Sequence, residues 1–536
     1  MTTVAETLAH ILNEYGIETV FGLPGGENLA VLAALRQRGI RFVLVRNESS
    51  AVYMADVTAR LTGRPGVCLT TLGPGATNAL AGVAHAYLDR APVLVLTAES
   101  PEADLGRHTH QVLDLQAVFQ PMTKQTSRLT PAGAADHIRQ ALNLTMAGRP
   151  GPVHLSLIGA DADTAVSDSA TETPASPSTP TDANALAAAQ AQVAQARRPI
   201  IVTGLGVEPQ RPYPQLQALA EQLNAPVIDT PKSKGALAND HPLFAGTIGL
   251  MKSDPAYAML DEADCIIAVG FDVVELVRIW DYTKPLIWVA PWPNIDPAIP
   301  ATVALVGEIG PTLRSLASVE NQTDAAWGKK RVRLFRDGLA TRSLPVAAEG
   351  RLLPQQVLET VRRCTPRDTL ITTDVGSHKI LTALTWPAYA PNRFMLSNGL
   401  SAMGFGLPAA IAAALELQQP VVCITGDAGF GMVLGELSLL TEYDLPVIII
   451  VMNDAALDLI RAKQLRRADD IYGTEFVNPH FADIAAAFEI PYRQVSDAST
   501  CAEAVRTAVV EARPMLIEAL IDPISYPTTP GQGGQP

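Results

Sequence analysis

Residues 420–460, PVVCITGDAGFGMVLGELSLLTEYDLPVIIIVMNDAALDLI, decide the fold. Residues 421–425 form a short β-branched run, which Gly426 and Asp427 break. Residues 435–444 carry helix formers, with Leu437, Leu439 and Leu440 among polar neighbours. Residues 446–452 are continuously apolar, as in a strand buried on both faces of a parallel sheet. Strand, helix, strand at this length is a right-handed crossover, so both strands end on one edge. Asp427 follows the first strand and Asp454 the second, 27 positions later. Open α/β sheets bind ligands at that carboxyl rim. Two carboxylates beside a glycine turn fit a hard cation that shares its remaining positions with phosphate and water. They equally fit two aspartates that cap the elements behind them.

Outward from this unit the alternation continues. Toward the N-terminus the pattern predicts a helix over residues 3–16, a strand ending at Phe21 and a helix over 27–38. A strand over 42–45, a helix over 50–61 and a strand over 67–71 come next. The loop GPGATN (73–78), a helix to Leu88 and strands over 92–96 and 153–157 complete the first unit. A second unit has strands over 200–202, 226–228, 265–269 and 286–289. A basic helix over 325–337 leads to a third, with strands over 369–372, 421–424, 447–451 and 515–519. The reading is α/β throughout: three doubly wound parallel-sheet domains in series. Expected boundaries are 1–164, a Ser/Thr/Pro/Ala-rich linker at 165–185, 186–335, 350–526, and a disordered tail at 527–536.

The 536 residues are 48% hydrophobic and 18% charged, ordinary for a globular α/β chain with ample core. A formal charge of -14 argues against general affinity for nucleic acid or anionic membrane. No apolar run approaches the roughly 20 residues that span a bilayer. The N-terminus has helical periodicity and acidic residues rather than a signal-peptide pattern. The five cysteines are scattered with no CxxC pair, so a reduced, cytoplasmic location is expected.

Glu48 lies just past a strand among small and apolar residues. A carboxylate so placed can hold a shared proton and act as acid or base; it can also simply favour the helix dipole. Gly204-Leu205-Gly206 follows a strand, but lacks the third glycine of a dinucleotide fingerprint.

Together, VFGLPGG (20–26), RNESSA (46–51), LGPGATN (72–78), TTDVGSH (372–378), SNGLSAMGFGLPAAI (397–411) and GDAGF through MND (426–454) resemble the thiamine diphosphate (ThDP) enzymes of the pyruvate decarboxylase and acetohydroxyacid synthase group. The resemblance covers nearly the whole chain as pyrimidine-binding, central and diphosphate-binding domains. It implies that Glu48 promotes the imino tautomer of the cofactor's pyrimidine, and that Met403 props the bent cofactor. It implies that Asp427, Asp454 and the carbonyl of Ala456 hold Mg²⁺ on the diphosphate. Gly426, Ala428 and Gly429 approach the phosphates by backbone, and His378 by side chain. Gly25, Pro74, Asn78, Ser377, Ser401, Leu457 and Asp458 complete the expected cofactor contacts.

Two positions depart from the family pattern: Ala428 replaces a glycine, which is tolerable only at negative φ, and Asp454 replaces an asparagine. HTHQVLDLQAVFQPMTK (108–124) and NDAALDLI (453–460) resemble catabolic, FAD-independent acetolactate synthases, and also carboxyethylarginine synthase. His110 and Gln111 are therefore expected to face the substrate as catalytic donors. The resemblance implies a carboligase that joins two pyruvates into 2-acetolactate and CO₂. The alternative is another 2-keto acid decarboxylase, aldehyde lyase or synthase with a different acceptor. It also implies a homodimer or homotetramer, a 2-keto acid substrate and no FAD.

Overall fold

A computed structural model describes residues 2–105, 107, 110–166, 181–277, 280–340 and 344–527. Most of the expected linker and nearly all of the expected tail lie outside them. Among the described residues eighteen strands form three six-stranded sheets. The first contains β1 (Thr19–Leu23), β2 (Arg41–Leu44), β3 (Gly66–Thr70), β4 (Val93–Glu99), β5 (Thr126–Leu129) and β6 (Val153–Ile158). The second contains β7 (Pro199–Thr203), β8 (Val227–Asp229), β9 (Phe244–Thr247), β10 (Cys265–Val269), β11 (Leu286–Ala290) and β12 (Val303–Val306). The third contains β13 (Ile371–Thr373), β14 (Phe394–Leu396), β15 (Val421–Gly426), β16 (Val447–Asn453), β17 (Tyr492–Val495) and β18 (Met515–Leu520). Every pairing between these strands is parallel.

The first sheet runs β2-β1-β3-β4-β6-β5 and the third β14-β13-β15-β16-β18-β17. Renumbered from its own start, the third order is the same as the first. The likeness extends to the rim: β3 is followed by the short helix Pro74–Asn78, and β15 by the short helix Asp427–Gly431. The central sheet runs β12-β11-β10-β7-β8-β9. That is the dinucleotide-fold order, whose topological switch lies between β7 and β10.

Burial explains which strands form the sheet centres. In β16 every residue from Val447 to Met452 is buried, and β15 is buried through Thr425. Their register pairs Gly426 with Met452, so Asp427 and Asp454 emerge at the same edge. Apolar clusters cover the faces of each sheet: Val20, Leu69, Leu94 and Leu155 in the first, Ile201, Ile267 and Ile287 on one face of the second, Ile424, Ile450 and Ile517 in the third. Each such buried branched side chain contributes on the order of 1.5–3 kcal/mol.

The structure corrects several element expectations. GPGATN is not a loop: Gly73 has φ 56°, Pro74 occupies the first turn, and residues through Asn78 are helical. The basic helix is Lys329–Ala340, and the helix expected over 435–444 narrows to Leu437–Glu442 behind a tighter turn. β5, β9, β12, β14 and β17 were not expected, and each lies at a sheet edge.

By compactness the chain forms two units. One comprises Met1–Ser176, Gly399–Gln419 and Gly431–Leu445; the other comprises Pro177–Asn398, Pro420–Phe430 and Pro446–Pro536. In the first, the helix Gly406–Leu417 packs on the helix Glu48–Thr62. The second holds the central and third sheets.

Candidate cofactor site

The carboxyl rim of the third sheet gathers the acidic residues. Asp427 opens the helix behind β15, and its Oδ1 accepts from the Ala428 N–H at 2.8 Å. Its Oδ2 accepts from the Ala455 N–H at 2.8 Å and from Asn478 Nδ2 at 2.7 Å. Burial raises the Asp427 pKa, and these donors oppose the rise. Ala428 is not among the residues with positive φ, so alanine is accommodated there. The unusual backbone is one strand over: Ala455 has φ 55°, a region that costs a residue with a Cβ about 1–2 kcal/mol. That geometry aims the Ala455 N–H at both Asp427 and Asn453 Oδ1.

Asp454 is half-buried beside other carboxylates. Burial first, then Asp427 and Asp458, push its pKa up to about 8. Asp458 accepts from the Ser377 hydroxyl at 2.7 Å and from Arg461 at 3.0 Å. The Ala456 N–H lies 3.3 Å from Asp454 Oδ1, Ala456 bridges Glu475, and the Leu457 N–H donates to the Thr474 carbonyl at 2.7 Å. Tyr526 is buried within reach of the same three aspartates, which add to the effect of burial in raising its hydroxyl pKa.

His378 stands in the first turn of the helix Ser377–Thr385. Its ring bonds the Asp374 backbone and burial pushes its pKa down to about 4. Its Nε2 is buried and meets no partner. A Cβ at Gly376 would lie 2.7 Å from the His378 ring, one at Gly426 2.9 Å from it, and one at Gly429 2.9 Å from Asp374 Oδ2. Three glycines, an orphaned imidazole nitrogen and mutually repelling carboxylates form a cradle suited to a cation with an anionic ligand. Among the described residues no set of three His, Cys, Asp or Glu side chains forms a metal cage by itself.

The rim of the first sheet is different. Glu48 is 5% exposed and begins the helix Glu48–Thr62 behind β2. Asn78 Nδ2 donates to Glu48 Oε2 at 3.2 Å, and a Cβ at Gly75 would lie 3.2 Å from Glu48 Oε1. Glu436 supports the turn leading into Glu48: it accepts from the N–H groups of Arg46 and Asn47 at 3.1 and 3.0 Å. Gly25 leaves no room for a side chain, since its Cβ would sit 2.2 Å from Thr71 Oγ1. Gln111 has φ 61° and packs its Cβ 3.0 Å from where one on Gly73 would be, which puts it against the turn before Pro74. His110 is exposed. In the segment before the helix Gly406–Leu417, Ser401 has φ 56° and Met403 is half-buried.

Asp427, Ala428, Asp454, Ala456, Leu457, Asp458, Ser377 and His378 thus share one rim, and Glu48, Gly25, Pro74, Asn78 and Gln111 another. Sequence reasoning passed over Asn478, Asp374, Glu436 and Tyr526. Glu436 had a visible signal, an isolated acid inside the apolar stretch of residues 433–440.

At the central sheet's switch point the crevice is filled from within. Glu275 is 1% exposed; it accepts from the Leu205 N–H at 3.0 Å, the Asp272 N–H at 3.2 Å and the Thr230 hydroxyl. A Cβ at Gly206 would lie 2.8 Å from the Trp292 ring. A carboxylate already satisfies the glycine turn that would otherwise receive a dinucleotide phosphate.

The family profiles agree with the three sheets. The thiamine pyrophosphate enzyme N-terminal TPP binding domain matches residues 2–118, the central domain 186–316 and the C-terminal TPP binding domain 374–519. The chain is 30% identical to a "Probable acetolactate synthase large subunit" of Methanocaldococcus jannaschii, over 99% of this chain and 94% of that one. It is 31% identical to a "Probable 2-ketoarginine decarboxylase AruI" of Pseudomonas aeruginosa, over 96% and 93%. It is 27% identical to an "Acetolactate synthase" of Bacillus subtilis, over 97% and 93%. The chain belongs to the thiamine pyrophosphate enzymes, as an acetolactate synthase-like member.

Proposed function

We propose that the chain is a Mg²⁺- and ThDP-dependent carboligase that decarboxylates pyruvate and joins the two-carbon unit to a second pyruvate, giving 2-acetolactate and CO₂. The observation that carries this is the rim of the third sheet: a half-buried Asp454 whose pKa is raised by desolvation and by Asp427 and Asp458, beside a glycine cradle and the orphaned His378 Nε2. When bound, ThDP supplies the nucleophilic carbon and the electron sink for decarboxylation. Asp427, Asp454 and the Ala456 carbonyl would hold the cation, and Gly426, Ala428, Gly429, Ser377 and His378 the diphosphate. Leu457 and Asp458 border that site. Glu48, kept buried and hydrogen-bonded by Asn78, would exchange a proton with the pyrimidine, with Gly25 and Pro74 shaping its surroundings. Ser401 and Met403 would support the cofactor, and His110 and Gln111 would donate to substrate.

Purified protein with ThDP, Mg²⁺ and pyruvate should release CO₂ and form acetolactate; acetaldehyde as the sole organic product refutes the carboligase reading. A second reading, a 2-keto acid decarboxylase, lyase or synthase with another acceptor, is favoured by the relative named as a 2-ketoarginine decarboxylase. Product analysis over keto acids with apolar and guanidino side chains separates the two.

We further propose a homodimer or homotetramer in the cytoplasm, divided as 1–164, 186–335 and 350–526, in the catabolic branch of the family. No described helix is long and apolar enough to cross a membrane. FAD is not expected: Glu275 accepts from the Leu205 N–H of the central sheet's glycine turn, which supports this, and a flavin absorbance band in the purified protein refutes it.

A further inference from the structure

The most heavily charged buried cluster outside the two rims centres on His85, in the helix Leu80–Leu88. His85 Nε2 lies 2.9 Å from Asp56 Oδ2, and its Nδ1 lies 2.9 Å from Asp89 Oδ2. Arg60 Nε sits 2.7 Å from Asp56 Oδ1, and Arg60 Nη2 donates to the Asp89 carbonyl at 2.7 Å. Asp56, His85 and Asp89 are at most 1% exposed. A neutral imidazole has one donor and one lone pair. Here both ring nitrogens face carboxylate oxygens, so both carry protons. With an imidazolium, the two carboxylates and the guanidinium, four buried charges sum to zero, the arrangement buried ions require. Burial works against the charge, yet Asp89 and Asp56 outweigh it and His85 titrates above its ordinary value.

The cluster has an output. Asp89 Oδ1 accepts from the Gly399 N–H at 2.8 Å. Gly399 is pressed so close to the Leu88 carbonyl, 2.8 Å from a would-be Cβ, that no other residue fits. At the far end of the same segment, Phe405 packs on the His85 ring at 5.0 Å and on Tyr53 at 5.6 Å. Between these anchors Ser401 and Gly404 have φ 56° and 86°. Residues 399–405 thus bend at two left-handed positions and are anchored at one end on Asp89 and at the other on His85.

We propose that Asp56, His85, Asp89 and Arg60 form an electrostatic clamp whose imidazolium positions residues 399–405, and with them Ser401 and Met403, for cofactor binding. His85 is a positioning residue: it acts through Asp89 and Phe405. The helix Glu48–Thr62 presents Asp56, Arg60 and Tyr53 to it, Asp89 closes from the end of its own helix, and the Phe405 segment presents no charge. The clamp holds while the imidazolium keeps its proton and loosens as pH rises through the raised pKa. The role of residues 399–405 rests on the ThDP reading above.

ThDP–Mg²⁺ affinity, read by tryptophan fluorescence across pH 6–10, tests it in the full chain. Wild type should weaken on an alkaline limb, with each variant compared to it at every pH. His85→Gln should bind at least tenfold more weakly at neutral pH and lose that limb; His85→Lys, which keeps the charge, should recover most of the affinity. If His85→Gln does not fold, Asp89→Asn decides: it retains an acceptor for Gly399 but removes a charge, and should move the limb to lower pH. Folded variants with wild-type affinity and limb overturn the clamp. Wild type that binds no ThDP at any pH overturns the cofactor reading instead.

Discussion

Asp454 gives the sharpest test of the third rim, and the test needs no turnover. In the cofactor-free protein its carboxyl titrates at about 8, through burial and the neighbouring Asp427 and Asp458; in the unfolded chain it titrates near 3.9. Between those values the folded state holds a proton that the unfolded state lacks, so this group's contribution to stability is greatest below about pH 4 and drains as pH rises toward 8. The slope is about 1.4 kcal/mol per pH unit, so between pH 6 and 7.5 this one group removes about 2 kcal/mol. Asp454→Asn does not titrate and removes the loss. The assay is urea unfolding of cofactor-free wild type and variant at the two pH values. Wild type should lose about 2 kcal/mol more than Asp454→Asn over that interval. Adding Mg²⁺ with ThDP should then flatten the wild-type pH dependence, because the cation replaces the proton. Parallel pH dependences refute the half-buried, proton-holding Asp454.

Glu275, also raised to about 8 by burial, should behave alike except in one respect: the pH slope removed by Glu275→Gln should persist when Mg²⁺ and ThDP are added, a difference read in the same urea titrations. Ala455→Gly should relieve left-handed strain of about 1–2 kcal/mol, less about 0.4–1 kcal/mol for the added freedom of the unfolded chain, so thermal unfolding should show a net gain of up to about 1.6 kcal/mol. Glu48→Gln should lower carboligation by about 10²–10⁴ while leaving ThDP affinity within a few fold, checked by product formation beside fluorescence titration. His378→Ala should weaken ThDP binding by about 10–100-fold, the range for a hydrogen bond to a charged group, with the loss absent for pyruvate saturation.

The centres of the sheets were legible because their strands are apolar on both faces. β15 and β16 announce themselves as Val/Ile runs, and the crossover rule then puts Asp427 and Asp454 on one edge. Most of the edges were not legible; β2, read as a strand over 42–45, is the exception. β5, β12 and β17 are buried at one residue each, and β14 has only three residues; none presents a run long enough to register. The candidate site divides the same way. Asp427, Asp454 and Glu48 follow strands and could be found from strand ends. Asn478 reaches Asp427 from 51 positions away, out of a segment with no periodicity of its own. Glu275 meets the Gly204–Gly206 turn from 70 positions away, so the glycines could be judged only by their own spacing. The strain, too, lies elsewhere than local reading placed it: the sequence-level concern was Ala428, whereas Ala455 carries the positive φ.

The shared strand order of the first and third sheets bears on ancestry. Two copies of one topology in a single chain are what tandem duplication followed by specialisation leaves behind. The turn after the third strand of each copy begins with Pro74 in one and Asp427 in the other, a residue that can neither donate an N–H nor carry charge set against one that does both. The same scaffold occurs twice in the chain, and the two rims differ in a few residues. Substitutions in the strands of either copy should therefore act on folding alike, whereas rim substitutions should have no counterpart in the other half.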